Sequence, residues 1–299
     1  MNMWEEAYLR HKEYKRVSIN PQIDIRLSCP QKPLVWPDSH NHQATPVSFK
    51  SFEEVYYQIK RPQPASPEPP NSSLMPQIQF DSISTPYPEI LPKIHDQLSD
   101  IWANIMVETK QKVETLLVTG ATRKEGSTFV SFYLALFLSK EFRMKILYVD
   151  TNPNHAAIPD IHDLPGLYSF VSKKRELPSL IVQSEYPGLF LLPSGAGEFA
   201  TNVGAYSLSR ELIETLIGYC RENFDLTIID GQSLTLNPIM IEFARVVDMT
   251  ALICRYGYSR REVSRLAVEK LRKFGVTSIG VILNDCQLAV PQKIYKMMG

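Results

Sequence analysis

The chain has 299 residues, 44% of them hydrophobic, and its 32 basic residues balance 32 acidic ones, so no global field favours nucleic acid or an anionic membrane. No stretch approaches the ~18 apolar residues of a spanning helix, and the N-terminus is charged rather than signal-like, so we expect a cytoplasmic protein. The four cysteines are scattered without a C-x-x-C pair, which is typical of reduced thiols rather than disulfides or metal ligands.

Proline marks a boundary in the first third of the chain, because 14 of the 22 prolines lie before residue 93. Residues 61–76 are polar and proline-dense, and such a segment cannot bury a core. Before them lie a short helical candidate at Trp4–Arg16 and a mixed segment with brief apolar runs. We therefore interpret residues 1–87 as a Pro-rich, largely irregular N-terminal arm and residues 88–299 as the folded domain. The arm's aromatic side chains suit partner contact, and local collapse onto the domain is the alternative.

From about residue 88 the pattern changes to helices alternating with short apolar strands. Helices are predicted at Pro88–Lys112, Thr128–Lys140, Ser209–Glu222 and Arg261–Phe274, the last closed by Gly275. Strands are predicted at Leu116–Thr119, Ile146–Val149, Leu189–Leu192, Leu226–Ile229, Thr250–Cys254 and Ser278–Leu283. This alternation predicts an α/β fold, a mostly parallel sheet with helices on both faces. Such sheets bind ligands at the carboxyl ends of their strands.

Residues 118–135 (VTGATRKEGSTFVSFYLA) have the outline of a phosphate-binding P-loop, G-x-x-x-x-G-K-[ST], between a strand and a helix. In such a loop backbone N–H groups hold phosphates, the lysine reaches the terminal phosphates and the Ser/Thr hydroxyl holds magnesium. Alignment on Gly126 places Thr128 at the magnesium position, Ser127 at the lysine position and Ala121 at the first glycine. The predicted nucleotide contacts are Thr122, Arg123, Lys124, Glu125, Gly126, Ser127 and Thr128.

Polar residues end three of the later strands. Asp150 and Asp230 each follow an apolar strand, and a carboxylate there is a usual holder of hydrated magnesium beside a P-loop. We predict a magnesium site of Thr128, Asp150 and Asp230 if nucleotide binds, and the two aspartates are also the catalytic candidates. Asn284 ends the last strand, where its amide could pair with a purine edge.

Residues from about 90 to 285 resemble the cytoplasmic domain of bacterial tyrosine autokinases of polysaccharide export, within the MinD/ParA group of P-loop ATPases. The resemblance lies in the order of six segments, TGATRKEGST, ILYVDTN, LPGLYSFV, GLFLLPSGAG, FDLTIIDGQ and GVILND. It implies a P-loop NTPase-like fold, ATP or ADP with magnesium as ligand, and a membrane-embedded polysaccharide chain-length or export protein, or a related kinase, as partner. Homo-oligomers are also implied.

Five features of that family are altered together. They are the P-loop lysine, the second acidic residue after the second strand, Thr-Pro-Pro after the Walker B aspartate, the arginines of an E-x-x-R-x-x-R motif that drives ring assembly, and a tyrosine-rich tail. Here Ser127 takes the place of the lysine, Asn152 that of the second acidic residue, and Gly231 to Ser233 that of Thr-Pro-Pro. Asp96, Ser99 and Trp102 take the three named positions of E-x-x-R-x-x-R, and the tail keeps only Tyr295. Together these changes favour a degenerate, noncatalytic member.

The sequence therefore predicts a pseudokinase-like scaffold or regulator of exopolysaccharide synthesis or export, cytoplasmic and membrane-associated through its partner. One alternative is an active ATPase or tyrosine autokinase that uses Arg123 or Lys124 as an irregular P-loop cation. Another is a MinD-like positioning ATPase, which is disfavoured because Thr122 occupies its signature lysine position. Because phosphoryl transfer depends on electrostatic stabilisation, losing the lysine should harm turnover more than binding.

Two further clusters have weaker functional interpretations. His155, Asp160, His162 and Asp163 could suggest a metal site, but their spacing matches no strong ligand pattern and a polar loop is the simpler interpretation. The cationic set of Arg255, Arg260, Arg261 and Arg265 is typical of a solvated helix start, with a phosphate or partner contact as the alternative. No Ser/His/Asp order or G-x-S-x-G elbow supports hydrolase chemistry.

Overall fold

The computed structural model describes residues 24–26, 89–109, 112–153, 158, 161, 164–172, 174–195 and 208–286. Most of the expected N-terminal arm, the four-residue metal candidate and Tyr295 lie outside these ranges. None of the helices within them combines the length and apolar character needed to cross a bilayer.

The described residues form one sheet of eight strands in the order β1-β8-β7-β2-β6-β3-β5-β4. The six inner strands pair in parallel, and β1 and β4 pair antiparallel at the two edges. The strands are β1 (Asp24–Arg26), β2 (Thr115–Gly120), β3 (Ile146–Asp150), β4 (Val182–Gln183), β5 (Leu189–Leu192), β6 (Leu226–Asp230), β7 (Met249–Arg255) and β8 (Ile279–Cys286). The predicted mostly parallel α/β fold is confirmed.

The inner strands have the composition of a sheet covered on both faces. Every residue of β2, β3 and β6 is buried, and these strands are runs of Leu, Ile, Val and Thr rather than alternating patterns. Strand β1 was not predicted, because its three residues lie within the arm expected to be irregular. Strand β4 has only two residues, too few for a periodic signal.

Six α-helices lie in the described ranges. They are α1 (His95–Glu108), α2 (Ser127–Glu141), α3 (Leu167–Val171), α4 (Arg210–Asn223), α5 (Ile239–Val246) and α6 (Arg261–Lys273). The predictions for α2, α4 and α6 agree within one residue, and Gly275 has the left-handed φ of 85° expected of a helix C-cap. Helix α5 was missed because its eight residues, which directly follow Pro238, make only about two turns and are too few for a reliable helical pattern.

The first predicted helix, Pro88–Lys112, is longer than the helix observed. Residues Leu91–Lys93 form a 3₁₀ turn around Pro92, and α1 begins only at His95. The chain leaves helical geometry at Ile94, whose φ of −114° and ψ of 10° separate the 3₁₀ turn from α1. At the other end Thr109 has an extended backbone, which ends α1 after Glu108.

Two hydrophobic clusters cover the two faces of the sheet. Helix α2 lies in one of them and has ten consecutive buried residues, Val130 to Ser139, because the sheet packs on one side and α1 on the other. Helices α3, α4, α5 and α6 pack on the opposite face. The sheet is therefore rigidly held, and its carboxyl edge presents the loops that carry the candidate site.

Candidate functional site

The carboxyl ends of the parallel strands bring together the polar residues singled out in the sequence. Asp150 at the end of β3 is the direct cross-strand partner of Asp230 at the end of β6. Strand β6 also pairs with β2, where Val118 lies opposite Asp230 two residues before Gly120, the last residue of β2. The predicted P-loop therefore begins beside the two aspartates.

The loop after β2 has the backbone of a turn that feeds a helix. Gly126 has φ 94° and lies immediately before the first residue of α2, Ser127. A side chain at Gly126 would collide with the amide nitrogen of Asn284, so glycine is required there for space as well as for conformation. No side chain caps the start of α2, which leaves its first N–H groups directed at the position a phosphate would take.

Glu125 ties this loop to the segment that follows β7. Its side chain is 2% exposed, and its Oε2 accepts a hydrogen bond from the Thr122 N–H at 2.8 Å. Its Oε1 accepts one from the Ser259 hydroxyl at 2.5 Å. The carboxylate lies so close to Gly120 that a Cβ there would be 2.6 Å from Oε2. Glu125 is thus part of the loop's internal support.

Asn284 and Arg255 hold the same loop from the ends of β8 and β7. The Asn284 amide nitrogen donates to the Glu125 carbonyl at 3.0 Å, and its Oδ1 accepts from the Asp285 N–H. Arg255 donates to Asp285 Oδ2 at 3.1 and 3.0 Å and to the Lys124 carbonyl at 3.5 Å. The Asn284 amide therefore lies beside the predicted site but uses one donor and its oxygen within the protein. Its contact with a purine stays a prediction.

The cations predicted to compensate for the missing lysine lie at the outer tip of the loop. Arg123 and Lys124 are exposed, and neither side chain has a hydrogen bond or ion pair with any described residue. Lys124 has the left-handed φ of 65°, which is uncommon for a residue with a Cβ. Ser127, at the lysine position, is half-buried in the first turn of α2.

The Asp150 and Asp230 carboxylates are buried next to one another without a cation among the described side chains. Asp150 is 0% and Asp230 1% exposed. Asp150 Oδ1 accepts from the Asn152 N–H at 2.7 Å, and Asp230 Oδ2 accepts from the Tyr148 hydroxyl at 3.0 Å. The other oxygen of each carboxylate is buried without a hydrogen-bond partner.

This burial raises the pKa of both aspartates. Desolvation raises the pKa of Asp230 to about 7, opposed by the nearby hydroxyls of Thr128, Tyr148 and Ser131. Desolvation and then the charge of Asp230 raise the pKa of Asp150 well above its ordinary value, opposed by the Asn152 N–H. Desolvation, followed by the two carboxylates, also raises the pKa of Tyr148, so its hydroxyl remains a donor.

These groups fit the magnesium ion that the resemblance implies. Magnesium prefers oxygen ligands, and the unpartnered oxygens Asp150 Oδ2 and Asp230 Oδ1 are the kind of buried acceptors that a hydrated cation would satisfy. Thr128, near Asp230, would add a hydroxyl oxygen. When bound, the ion would be held by these oxygens and would supply positive charge to offset the carboxylates and a nucleotide's phosphates.

The segment after β6 is bonded to the start of the P-loop. The N–H groups of Gly231 and Leu234 donate to the carbonyls of Val118 and Gly120 at 2.8 and 3.0 Å. The Thr235 hydroxyl donates to the Ala121 carbonyl at 2.8 Å. The segment after Asp230 therefore supports the start of the predicted P-loop through hydrogen bonds.

The remaining sequence candidates have mixed outcomes. Within the described ranges no three His, Cys, Asp or Glu side chains form a metal-binding group, and the His155-containing cluster lies outside them. Arg255 belongs to the loop network, whereas Arg260, Arg261 and Arg265 are exposed at the start of α6. Cys220 and Cys254 are free thiols.

Sequence reasoning missed two hydroxyl groups beside Asp230. Tyr148 lies two residues before Asp150 on β3, so the two-residue period of a strand could have placed both on one face. Ser131 lies three residues after Thr128 on α2, which places it on the same helical face. Ser259 gave no such signal, because it is distant in sequence from the loop that it contacts.

No protein-family model matches the chain, but comparison with known proteins finds tyrosine-protein kinases similar to it. The chain is 26% identical over 182 residues to the tyrosine-protein kinase Etk of Escherichia coli K12, which covers 60% of this chain and 24% of Etk. It is 25% identical over 202 residues to the tyrosine-protein kinase CpsD of Streptococcus agalactiae, which covers 66% of this chain and 86% of CpsD. The chain thus spans about a quarter of the length of Etk but most of CpsD.

Solved structures show the same fold. The kinase domain of the Escherichia coli tyrosine kinase ETK superposes with a TM-score of 0.55 at 21% identity, covering 67% of this chain and 78% of that domain. The chain is a homologue of bacterial tyrosine kinases, with the mostly parallel P-loop NTPase-like fold of their kinase domains.

Proposed function

We propose that this chain is a noncatalytic homologue of the bacterial tyrosine kinases, a pseudokinase-like scaffold or regulator of exopolysaccharide synthesis or export. The observation that carries the proposal is Ser127 in the first turn of α2, where a P-loop lysine would reach the terminal phosphates. A serine hydroxyl supplies no positive charge. Arg123 and Lys124 are the nearest loop cations in sequence, and both are exposed at the tip of the loop.

The electrostatics of the site support binding more than turnover. Hydrogen bonds to charged groups contribute about 1.5–3 kcal/mol each, and a terminal phosphate here would lose the one from lysine. The buried Asp150, Asp230 and Glu125 side chains supply no positive charge in its place. Because charge develops further in the transition state of phosphoryl transfer, catalysis suffers more than ground-state binding. ATP or ADP with magnesium is accordingly proposed as a structural ligand.

The rival function is an active ATPase or tyrosine autokinase in which Lys124 or Arg123 replaces the lysine. The observation in its favour is that both side chains lack a partner among the described residues, so turning inward breaks no contact. A MinD-like positioning role has less support, because Thr122 holds the signature position and its N–H is engaged by Glu125.

The proposed setting comes from the family resemblance. We place the chain in the cytoplasm, with a membrane-embedded chain-length or export protein, or a related kinase, as its partner. The homologous kinases are the reason for this proposal. Membrane association would be indirect, through that partner.

The test is nucleotide binding followed by turnover, on the full chain. We expect calorimetry with Mg-ATP and Mg-ADP to give weak but measurable binding, and we expect no release of phosphate above that of a D150N/D230N control. Measurable turnover that is lost in both K124A and D230N would overturn the noncatalytic proposal. Turnover lost in R123A instead would favour Arg123 as the replacement cation.

A further inference from the structure

The turn between β7 and α6 displays two tyrosine side chains. Tyr256 is 52% and Tyr258 49% exposed, whereas every other tyrosine in the described ranges is buried or half-buried. Gly257 between them has φ 69°, and a Cβ there would meet no atom within 4 Å. The turn therefore projects into solvent, where another protein can reach it.

One arginine side chain packs on the Tyr258 ring, and two more arginines follow it closely in the sequence. The Arg255 guanidinium lies over the Tyr258 ring, 5.7 Å from its centroid. Arg260 and Arg261 follow within three residues, and both are exposed. A phosphate on the Tyr258 hydroxyl would add about −1.5 to −2 charges beside these cations, and arginine binds phosphate bidentately.

The same turn is bonded to the P-loop. Arg255 contacts Asp285 Oδ2 and the Lys124 carbonyl, and the Ser259 hydroxyl donates to Glu125. The Arg255 N–H in turn donates to the Ser259 hydroxyl at 2.8 Å. A change of charge at Tyr258 that draws Arg255 away would release contacts at the P-loop and at the end of β8.

We infer that Tyr258 is a phosphoacceptor for a protein tyrosine kinase that, unlike this chain, has an intact P-loop lysine. In the reaction the Tyr258 oxygen forms a bond to the γ-phosphorus of ATP, the bond from that phosphorus to the β–γ bridging oxygen breaks, and ADP leaves. The phenolic proton passes to a base of that kinase. The inference requires no nucleotide binding by this chain and so is independent of the proposed function.

Phosphorylation would replace the ion pair of Arg255 with Asp285 by a stronger pair of Arg255 with the phosphate on Tyr258. The pair of Arg255 with Asp285 is about half exposed, so its contribution to stability is small. A phosphate dianion two to three residues from three arginines competes effectively for Arg255. The Lys124 carbonyl would then lose its contact with Arg255, which couples the surface turn to the loop.

The experiment incubates the full chain with Mg-ATP and the separate kinase domain of an Etk-type tyrosine kinase, followed by phosphosite mapping by mass spectrometry. We expect phosphate at Tyr258, its loss in Y258F and its retention in Y256F, the matched control with similar exposure. We also expect faster amide exchange at 284–286 after phosphorylation. Both variants change exposed side chains, so circular dichroism should show native folding.

Two results would overturn the acceptor assignment. One is equal labelling of Y258F and the native chain, with phosphate at Tyr256 or elsewhere. The other is an unlabelled native chain in a reaction where the added kinase domain phosphorylates itself. A reaction without added kinase separates the two proposals. Labelling there would overturn the noncatalytic function, and the mapped site would still decide for or against Tyr258.

Discussion

The Tyr148 hydroxyl donates a hydrogen bond to Asp230 Oδ2 at 3.0 Å, and neither side chain has meaningful contact with solvent. The Tyr148 ring is fixed edge-on against Phe132, with ring centroids 5.6 Å apart at 88°. Packing against Phe132 therefore holds the Tyr148 hydroxyl in place, and this hydroxyl fixes one oxygen of the Asp230 carboxylate. The other oxygen, Oδ1, is buried without a hydrogen-bond partner.

Tyr148→Phe should lower the free energy of unfolding by about 1–3 kcal/mol, because a buried carboxylate oxygen loses its donor while the ring packing is kept. Urea denaturation at pH 8, where Asp230 is mostly ionised, would measure the change. The exposed Y258F is the control and should change stability by less than about 0.5 kcal/mol. A neutral effect of Y148F would contradict the importance of this hydrogen bond.

The buried aspartates predict a stability that falls as pH rises. Asp230 has an ordinary pKa of 3.8 that is raised to about 7 in the folded protein, and the pKa of Asp150 is also raised. Between these values the folded state binds more protons than the unfolded state, so the free energy of unfolding decreases from about pH 4 to about pH 7. Denaturation curves without divalent cation across this window should show that slope.

Asp150→Asn should flatten this pH profile and stabilise the protein at pH 8, by on the order of 1–2 kcal/mol, because one desolvated charge is removed. The exposed Asp96→Asn is the matched control and should leave the profile unchanged. If the free energy of unfolding depends on pH in the same way in D150N and in the native chain, the two aspartates do not influence each other's titration, which would contradict the prediction. Magnesium should stabilise the native chain more than D150N, since it binds the folded carboxylates.

Ser127→Lys should strengthen Mg-ATP binding about tenfold or more, because the restored lysine adds a charge-assisted hydrogen bond of about 1.5–3 kcal/mol. Calorimetry on S127K and on the control S127A would measure it, with no gain expected for alanine. Equal affinity in S127K and S127A would mean that the loop cannot direct a lysine at the phosphates, and would contradict the role proposed for Ser127.

Glu125→Gln should loosen the P-loop, because an amide can accept from the Thr122 N–H or from the Ser259 hydroxyl but presents only one carbonyl oxygen. We expect a loss of about 1–3 kcal/mol and faster amide exchange at 120–126. Ser259→Ala removes one of the two bonds to Glu125 and also the acceptor of the Arg255 N–H, so its cost should be of similar size. A double-mutant cycle of E125Q and S259A should give a coupling energy above about 0.5 kcal/mol. Strict additivity would show that the two residues act separately.

The chain should remain monomeric at micromolar concentration. Helix α1 contains neither arginine nor lysine, and Trp102, at the place of one family arginine, is 4% exposed and packed in the core. Asp96 and Ser99 supply no cation either. Light scattering coupled to size exclusion measures the mass directly. A ring-sized mass would show that assembly uses other contacts.

Local sequence determined the elements whose signal is local. Apolar runs located the six inner strands to within three residues at each end, and the change from strand to small residues to helix located the predicted P-loop at Gly120 to Thr128. The rule that parallel strands present their carboxyl ends at one edge placed Asp150 and Asp230 there. Each of these inferences depends on neighbours within a few residues, so periodicity and turn chemistry suffice.

Only the tertiary structure decided which side chains meet at that edge. Glu125 and Ser259 are 134 residues apart in sequence, and Tyr148 and Asp230 are 82 apart. Their contacts depend on the strand order, with β6 between β2 and β3 and with β7 on the other side of β2, which no local pattern specifies. The sequence therefore determined that the P-loop lacks its lysine. The fold decided that Glu125 joins the loop to Ser259 and that Tyr148 donates to Asp230, because those contacts exist only once distant strands are paired.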